Sequence, residues 1–250
     1  MDLKPNISMF FPAYNEAGNI RRVIEDAQKV LRKNANNYEI LIVLYEGSTD
    51  NTAEIVRSYS QNDPNVRLVL QAKDDHGVGK AYRIGLNTAK YENIFYSDSD
   101  NQFDLEDFEK FLPFLDEYDI IAGYKLKRND PFLRKMISFG YNFLIRLFFR
   151  MDLWDVNTAF RLVKKRVVDD ITLHSIYGTV TTEMLIKAKC KGYKIKSVGV
   201  NHFNRGAGKP LYEIKFGLLS PKTILAVARE LIHVWREVKH PQWKTKTSSV

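Results

Sequence analysis

The sequence of 250 residues contains one cysteine, Cys190. A single cysteine cannot form an internal disulfide, which is typical of a chain that works in a reducing compartment. No histidine partner is indicated for Cys190, so we expect it to fill partly buried space rather than to act as a nucleophile. Thiol and disulfide chemistry are therefore not expected of this chain.

The sequence also lacks a run of about 18 uncharged apolar residues, which a membrane-spanning helix requires. The apolar part of the N-terminal stretch MDLKPNISMFF is too short and wrongly flanked for a secretory signal. We therefore expect no membrane-spanning helix, and we expect a cytoplasmic location for the protein.

Acidic residues are in deficit, with 30 Asp and Glu against 38 Lys and Arg, and the net charge is +8. A positive chain favours an anionic partner. Between positions 125 and 150 a single acid, Asp130, stands among bulky apolar residues and seven basic ones: Lys125, Lys127, Arg128, Arg134, Lys135, Arg146 and Arg150. This mixture favours an anionic membrane surface. Zinc-finger spacings and aromatic RNA-binding signatures are missing, so we expect no nucleic-acid partner.

The first 123 residues alternate apolar runs with amphipathic segments. The runs ISMFFPAY, YEILIVLY, VRLVLQ, NIFYS and YDIIAGY are each separated by a segment of helical periodicity. Near-continuous apolar strands that alternate with helices predict an α/β fold, with a mostly parallel, Rossmann-like sheet flanked by helices. Such sheets bind their ligands beyond the carboxyl ends of the strands.

After Gly123 the alternation changes. Residues 131–150 predict a helix that is apolar over most of its circumference, and residues 158–200 predict a strand, two helices and a strand. A last amphipathic helix is predicted from Ser220, as N-cap, to about Lys239. We therefore predict a catalytic domain over residues 1–210 and a membrane-interfacial C-terminal helix and tail over residues 211–250.

The stretch YSDSDNQFD, residues 96–104, places closely spaced acids at the end of an apolar strand. Asp98 and Asp100 flank one small residue, and Gln102 follows them. Two carboxylates in this position can hold a hard divalent cation, which would neutralise a diphosphate and stabilise its departure. The alternative is an ordinary acidic loop without a ligand.

Five motifs resemble family 2 glycosyltransferases in order and spacing: PAYNE (12–16), EGSTDNT (46–52), GVGKAYRIG (77–85), DSDNQ (98–102) and TAFRLVKKRVVD (158–169). The resemblance covers about residues 6–210 and is strongest to the dolichyl- or polyprenyl-phosphate hexosyltransferases. It implies a GT-A fold, a nucleotide-diphospho-sugar donor that is a UDP- or GDP-hexose, and a polyprenyl phosphate acceptor.

The resemblance also implies roles for individual residues. The donor nucleotide would be bound by Pro12, Tyr14, Glu16, Glu46, Gly79, Lys80 and Asp98. Mg²⁺ or Mn²⁺ would be held on the diphosphate by Asp98, Asp100 and Gln102. A basic loop with Arg205 and Lys209 would close over the diphosphate, and the acceptor phosphate would meet Lys125, Arg134 and Ser138. The residues expected to take part in catalysis are Asp100, Arg205 and Glu183.

Two departures from the family pattern leave alternatives open. Tyr45 and Glu46 stand where two aspartates are usual, which leaves the donor base open. Met184 follows Glu183 where an acid pair is usual in enzymes that glycosylate a hydroxyl. A phosphate acceptor is already anionic at pH 7 and needs no base. Glu183 is therefore either catalytic or a structural partner of a basic group.

The sequence thus predicts a metal-dependent, inverting hexosyltransferase, peripheral on the cytoplasmic face of a membrane. The first alternative is a family 2 transferase that acts on a saccharide hydroxyl, with Glu183 as the base. The second is a non-catalytic module that binds a sugar nucleotide, which the altered residues Tyr45 and Glu46 suggest.

Overall fold

The computed structural model describes residues 4–75, 77–127, 132–151, 153, 155–205 and 221–240. Within them a single seven-stranded sheet forms the centre of the molecule. Its strands are β1 (Ile7–Ala13), β2 (Tyr38–Tyr45), β3 (Val66–Gln71), β4 (Asn93–Ser97), β5 (Ile120–Lys125), β6 (Phe160–Lys164) and β7 (Ile195–Val200). Their spatial order is β3-β2-β1-β4-β6-β5-β7.

Helices cover both faces of this sheet. They are α1 (Ile20–Asn34), α2 (Thr52–Asn62), α3 (Val78–Thr88), a 3-10 helix (Leu105–Phe114), α4 (Phe132–Phe149), α5 (Lys165–Asp170), α6 (Val180–Cys190) and α7 (Pro221–Lys239). Strands β1 to β4 pair in parallel, as do β5 and β7, whereas β6 runs antiparallel between β4 and β5. The predicted mostly parallel α/β fold is confirmed.

The alternation of side chains along the strands explains the two core layers. In β1, Ile7, Met9 and Phe11 point to one layer, which also contains the apolar face of α1. The neighbouring Phe10 points to the other layer, with residues of α3 and α6. Because both faces are covered, the strands are apolar throughout, and this is why they read as continuous apolar runs.

The segment LEDFEKFLPF, which separates β4 from β5, forms a 3-10 helix, whereas the sequence predicts only a segment of helical periodicity there. Pro113 lies inside it and cannot donate a backbone hydrogen bond. Asp104 caps its start, since the carboxylate accepts a hydrogen bond from the N–H of Glu106 at 3.0 Å. Asn19 stands at the N-cap position of α1, but its side-chain amide donates to Glu16 and does not cap the helix.

Helix α7 is attached to the domain along one face. Val234 is buried, and Glu230 accepts hydrogen bonds from the N–H groups of Ile176 and Tyr177 at 2.7 and 3.3 Å. Glu237 pairs with Lys187 of α6 at 2.7 Å. The predicted start of this helix at Ser220 lies outside the described residues. Within those residues, no helix combines the length and apolar character needed to cross a bilayer.

Candidate active site

Two neighbouring parallel strands bring the acids of the candidate site together. β1 and β4 pair directly, so the residues that follow them meet at the same edge of the sheet. Glu16 follows β1, and Asp98 and Asp100 follow β4. Between the two aspartates, the hydroxyl of Ser99 donates to the carbonyl oxygen of Pro12 at 2.7 Å. This hydrogen bond ties the two strand ends to each other.

The guanidinium of Arg205 lies between two of these acids. Its Nη2 is 3.1 Å from Asp100 Oδ2 and 3.3 Å from Glu16 Oε1. Glu16 and Asp100 are both buried. Burial raises the pKa of the Glu16 carboxyl and the nearby Asp100 adds to this, although hydrogen bonds from Asn19 and Arg205 act in the opposite direction. Arg205 therefore neutralises a pair of buried carboxylates.

The turn after Asp100 is fixed by its own amides. Asn101 has a φ of 57°, in the left-handed region that asparagine tolerates, and its side-chain amide donates to Asn19. The N–H of Gln102 donates to Asp100 Oδ1 at 3.1 Å, and its side-chain amide donates to the carbonyl of Phe203 at 3.2 Å. Gln102 thus links the acidic turn to the segment that carries Arg205.

Asp98 is exposed to solvent but is crowded by protein on several sides. The surrounding protein removes part of its hydration and raises its pKa to about 7, and the Asp100 carboxylate adds to this. The hydroxyl of Tyr82, 3.1 Å away, and the cations Lys125 and Arg205 act in the opposite direction. A neighbouring cation therefore strongly stabilises the ionised form of this carboxyl.

These residues fit the divalent cation that the sequence resemblance implies. Carboxylate oxygens are the ligands that Mg²⁺ and Mn²⁺ prefer, and Asp98 and Asp100 supply them at one strand end. A cationic group already lies on Asp100 in the form of Arg205, which shows that the cluster demands positive charge. The position of Asp98 and Asp100 at the sheet edge therefore suits a divalent cation.

Two tyrosine rings lie beside the acids on the β2 side. Tyr14 follows β1 and Tyr45 ends the adjacent strand β2, and their ring centroids are 5.8 Å apart. The Tyr45 hydroxyl donates to the carbonyl of Lys73 at 3.0 Å, which fixes the ring over Gly47, where a Cβ would overlap it. Glu46 is exposed, and its N–H donates to the carbonyl of Gln71. An aromatic surface therefore lies at Tyr45, where the departure from the family pattern leaves the identity of the donor's nucleobase open.

Gly79 and Lys80 contact the protein itself. The N–H of Gly79 donates to the carbonyl of Ile176 at 2.7 Å, and a Cβ here would overlap the carbonyl oxygen of Ser175. Lys80 forms an ion pair with Asp75. Gly79 therefore approaches the backbone of residues 175–176 closely, and its predicted role in binding the donor stays a prediction.

Glu183 is buried in α6, and both of its carboxylate oxygens are engaged. It pairs with Lys187 at 2.7 Å and accepts hydrogen bonds from the N–H groups of His174 and Ser175 at 2.8 to 3.1 Å. A base must reach its substrate, whereas this carboxylate holds a turn and a buried ammonium. The geometry favours the structural role of Glu183 over the catalytic one.

The residues predicted for the acceptor phosphate are only partly described. Lys125 ends β5, and the charge of its ammonium favours a lower pKa of Asp98. Lys125 therefore lies on the β5 side of the acids. Ser138 lies in α4, where its hydroxyl and carbonyl face the amide of Asn142. The side chain of Arg134 and the whole of Lys209 lie outside the described residues. Their predicted roles stay predictions.

The sequence interpretation missed Tyr82. This residue is buried in α3, where its ring makes edge contacts with Phe10 and Tyr96 and its hydroxyl reaches Asp98. Its signal was present in the motif GVGKAYRIG, three residues after Gly79, because one helical turn carries it back toward the sheet edge.

The chain is similar to known glycosyltransferases. Residues 8–172 match the model of "Glycosyl transferase family 2". A dolichyl-phosphate beta-glucosyltransferase of Dictyostelium discoideum is 25% identical over 252 residues, covering 92% of this chain and 76% of the relative. A dolichyl-phosphate beta-glucosyltransferase of Trichomonas vaginalis is 31% identical over 216 residues, covering 79% of this chain and 64% of the relative.

Solved structures extend this likeness to the fold. Glucosyl-3-phosphoglycerate synthase from Mycobacterium tuberculosis, crystallised with Mn²⁺, UDP and phosphoglyceric acid, matches with a TM-score of 0.68 and 14% identity. The match covers 94% of this chain and 78% of that one. The same enzyme with Mg²⁺ and UDP matches with a TM-score of 0.67, 15% identity and 94% and 79% coverage.

The family model covers well over half of the chain, and the fold, the order of motifs and the acidic strand end all agree with it. The protein belongs to glycosyltransferase family 2. It is a glycosyltransferase with the GT-A fold, as the sequence predicts.

Proposed function

We propose that the protein is a metal-dependent, inverting hexosyltransferase that moves a hexose from a UDP- or GDP-hexose to a polyprenyl or dolichyl phosphate. One observation carries this proposal: Asp98, Asp100 and Arg205 meet at the carboxyl edge of β4, beside an aromatic pair on one side and Lys125 on the other. The relatives named as dolichyl-phosphate glucosyltransferases support the acceptor class.

The proposed reaction needs no proton transfer. An oxygen of the acceptor phosphate attacks the anomeric carbon of the hexose, and a new C–O bond forms as the bond to the diphosphate breaks. The nucleoside diphosphate leaves with the electron pair of that bond. When bound, the cation at Asp98 and Asp100 would stabilise the negative charge of this leaving group.

The side chains of the protein supply position and charge. Tyr14 and Tyr45 offer an aromatic surface for the nucleobase, and Arg205 would balance the diphosphate charge. Lys125 lies on the opposite side of the acids and would attract the acceptor phosphate. Because Glu183 is buried and engaged by Lys187 and two N–H groups, a hydroxyl acceptor would have to find another base.

Helix α4 supports docking on an anionic membrane surface. Large apolar side chains are exposed along it: Met136, Ile137, Phe139, Phe143, Leu144, Leu147 and Phe148. They recur at helical spacing and so form an exposed apolar surface beside the proposed acceptor residue Ser138. Helix α7 exposes Ile224, Leu225 and Ile232 as well. An enzyme so docked, on the cytoplasmic face, would meet a lipid phosphate at the membrane plane.

The test is transfer of labelled hexose from a panel of UDP- and GDP-hexoses to a short-chain polyprenyl phosphate, with and without EDTA. We expect organic-extractable label that disappears with EDTA, and at least a hundredfold loss of rate in Asp100→Asn, equivalent to about 2.7 kcal/mol of barrier. The matched control is Asp26→Asn, which removes an exposed carboxylate of α1.

Other outcomes would overturn the proposal. Full activity of Asp100→Asn, or undiminished activity in EDTA, would exclude the metal-dependent reaction at this strand end. Label transferred only to a saccharide hydroxyl would favour the first alternative acceptor. Donor binding without turnover on any acceptor would favour a binding module.

A further inference from the structure

Arg205 lies on the same carboxylate that the proposed function assigns to the metal. Its Nη2 is 3.1 Å from Asp100 Oδ2, and the same nitrogen is 3.3 Å from Glu16 Oε1. The Arg205 side chain is 22% exposed, and both acids are 8% exposed. A guanidinium in this place is a largely covered counter-ion rather than a surface charge.

The two acids are held in place independently of Arg205. Glu16 accepts a hydrogen bond from the amide of Asn19 at 2.5 Å, and its N–H donates to the hydroxyl of Thr52 at 2.9 Å. Asp100 Oδ1 accepts from the N–H of Gln102 at 3.1 Å. The carboxylates therefore stay close to each other when the arginine leaves, and their mutual repulsion then demands another cation.

Arg205 is also placed so that it can change partners. The chain before it is tied to the acidic turn, because the N–H of Phe203 donates to the carbonyl of Gln102 at 2.7 Å and His202 bridges to Phe103. Arg205 lies two residues beyond this anchor. Its long side chain can therefore turn from the acids to a neighbouring anion without a rearrangement of the sheet.

We propose that Arg205 occupies the cation position of the site in the donor-free protein, and that the divalent metal and the nucleoside diphosphate displace it together. A metal ion alone must compete with the guanidinium for Asp100. A diphosphate that arrives with the metal gives the displaced guanidinium a new anionic partner. Metal and nucleotide should therefore strengthen each other's binding, and Arg205 should carry that coupling. The nature of the donor rests on the proposed function.

The experiment measures Mn²⁺ binding to the full chain by the paramagnetic resonance of free Mn²⁺, alone and with saturating UDP or GDP. In the unchanged protein we expect the nucleotide that binds, UDP or GDP, to increase the affinity for Mn²⁺ about tenfold or more. In Arg205→Ala and Arg205→Gln we expect Mn²⁺ alone to bind several-fold tighter, with most of the nucleotide effect lost. Arg22→Ala, which removes an exposed arginine of α1, should behave like the unchanged protein.

Two results would overturn the proposal. One is Mn²⁺ affinity in both Arg205 variants that is equal to or weaker than that of the unchanged protein in the absence of nucleotide. The other is the absence of Mn²⁺ binding in every protein tested. The assay contains no acceptor, so failure to transfer hexose to a lipid phosphate would leave this inference standing. Circular dichroism of each variant confirms that it is folded before binding is measured.

Discussion

Glu183 shows how the contacts of one residue can favour one of two roles. Burial by itself raises the pKa of its carboxyl, but the Lys187 ammonium and the N–H groups of Ser175 and His174 outweigh burial, so the pKa lies below the ordinary value of 4.5. Lys187 is itself buried and also pairs with Glu237 of α7. Glu183 therefore belongs to a buried charge network that joins α6, α7 and the turn at residues 174–175.

We expect Glu183→Gln to lower the free energy of unfolding by about 3 kcal/mol, because it removes one partner of a buried ion pair. At a temperature where the variant is folded, kcat should stay within about threefold of the unchanged value, whereas loss of a catalytic base costs about 10²-fold or more. Urea unfolding and hexose transfer measure the two quantities. Glu54→Gln, on the exposed face of α2, is the control and should change stability by less than about 0.5 kcal/mol.

The effect of Glu183→Gln on the free energy of unfolding should depend on pH. Because the folded-state pKa of Glu183 is lowered, its contribution is fully present above the unfolded-state pKa of about 4.5 and is lost as the pH falls through the lower folded-state value. The difference in unfolding free energy between the two proteins should therefore shrink below about pH 4.5. A constant difference from pH 7 to pH 3 would contradict this assignment.

At the scale of elements, helix α4 provides the main support for the proposed docking on a membrane surface. Phe139 and Phe143 are 72% and 55% exposed, on a helix whose Ile145 and Asn142 face the protein. Apolar surface of this extent on a charged chain is usually covered by a partner. The mixture of arginine and aromatic residues along the helix favours a lipid surface with anionic headgroups.

We expect the double variant Phe139→Ser/Phe143→Ser to bind vesicles of phosphatidylcholine and phosphatidylglycerol at least tenfold more weakly, because two large apolar side chains no longer enter the bilayer. The unfolding free energy should change little, since both rings are exposed. Cosedimentation with vesicles measures the binding. Leu70→Ser is the matched control, because it removes an exposed apolar side chain of β3 instead. Equal loss in both variants would argue against α4 as the docking surface.

The sequence predicts the elements better than their arrangement. The parallel strands are apolar throughout and are therefore visible as separate runs. The strand 160–164 is predicted as well, but its insertion between β4 and β5 depends on pairing with residues about 40 to 70 positions away, as in Asn93–Lys164 and Ile120–Val163. Local periodicity carries no information on such partners.

The candidate site, too, could be predicted from the sequence only in part. Asp98 and Asp100 are recognisable because they end an apolar strand. The contact of Arg205 with Glu16 joins residues 189 positions apart, and its contact with Asp100 spans 105 positions. Only the fold brings these three groups together. Glu183 lies in a sequence context that permits two roles, and its buried ion pair with Lys187 of the same helix, which also pairs with Glu237 of α7, favours the structural one.

At the scale of the whole molecule, the net positive charge and the exposed apolar surface of α4 both favour binding to an anionic membrane. The chain carries a net charge of +8, and the region from Lys125 to Arg150 combines basic residues with the apolar surface of α4. Each basic side chain near an anionic membrane contributes about 1 kcal/mol, and this contribution is screened within a Debye length of about 8 Å at physiological salt. The electrostatic part of docking should therefore be sensitive to ionic strength, whereas the apolar part should not.

This difference leads to a test of the protein on anionic vesicles. We expect hexose transfer to a long-chain polyprenyl phosphate in anionic vesicles to fall several-fold between 50 mM and 500 mM KCl, because screening releases the protein from the surface. With a short-chain acceptor in detergent and no vesicles, the rate should vary much less, since the substrate then reaches the site from solution. Equal salt sensitivity of both reactions would place the effect at the active site rather than at the membrane. A salt-independent rate in vesicles would favour an attachment through apolar side chains, and the double variant at Phe139 and Phe143 should then strongly lower transfer from vesicles.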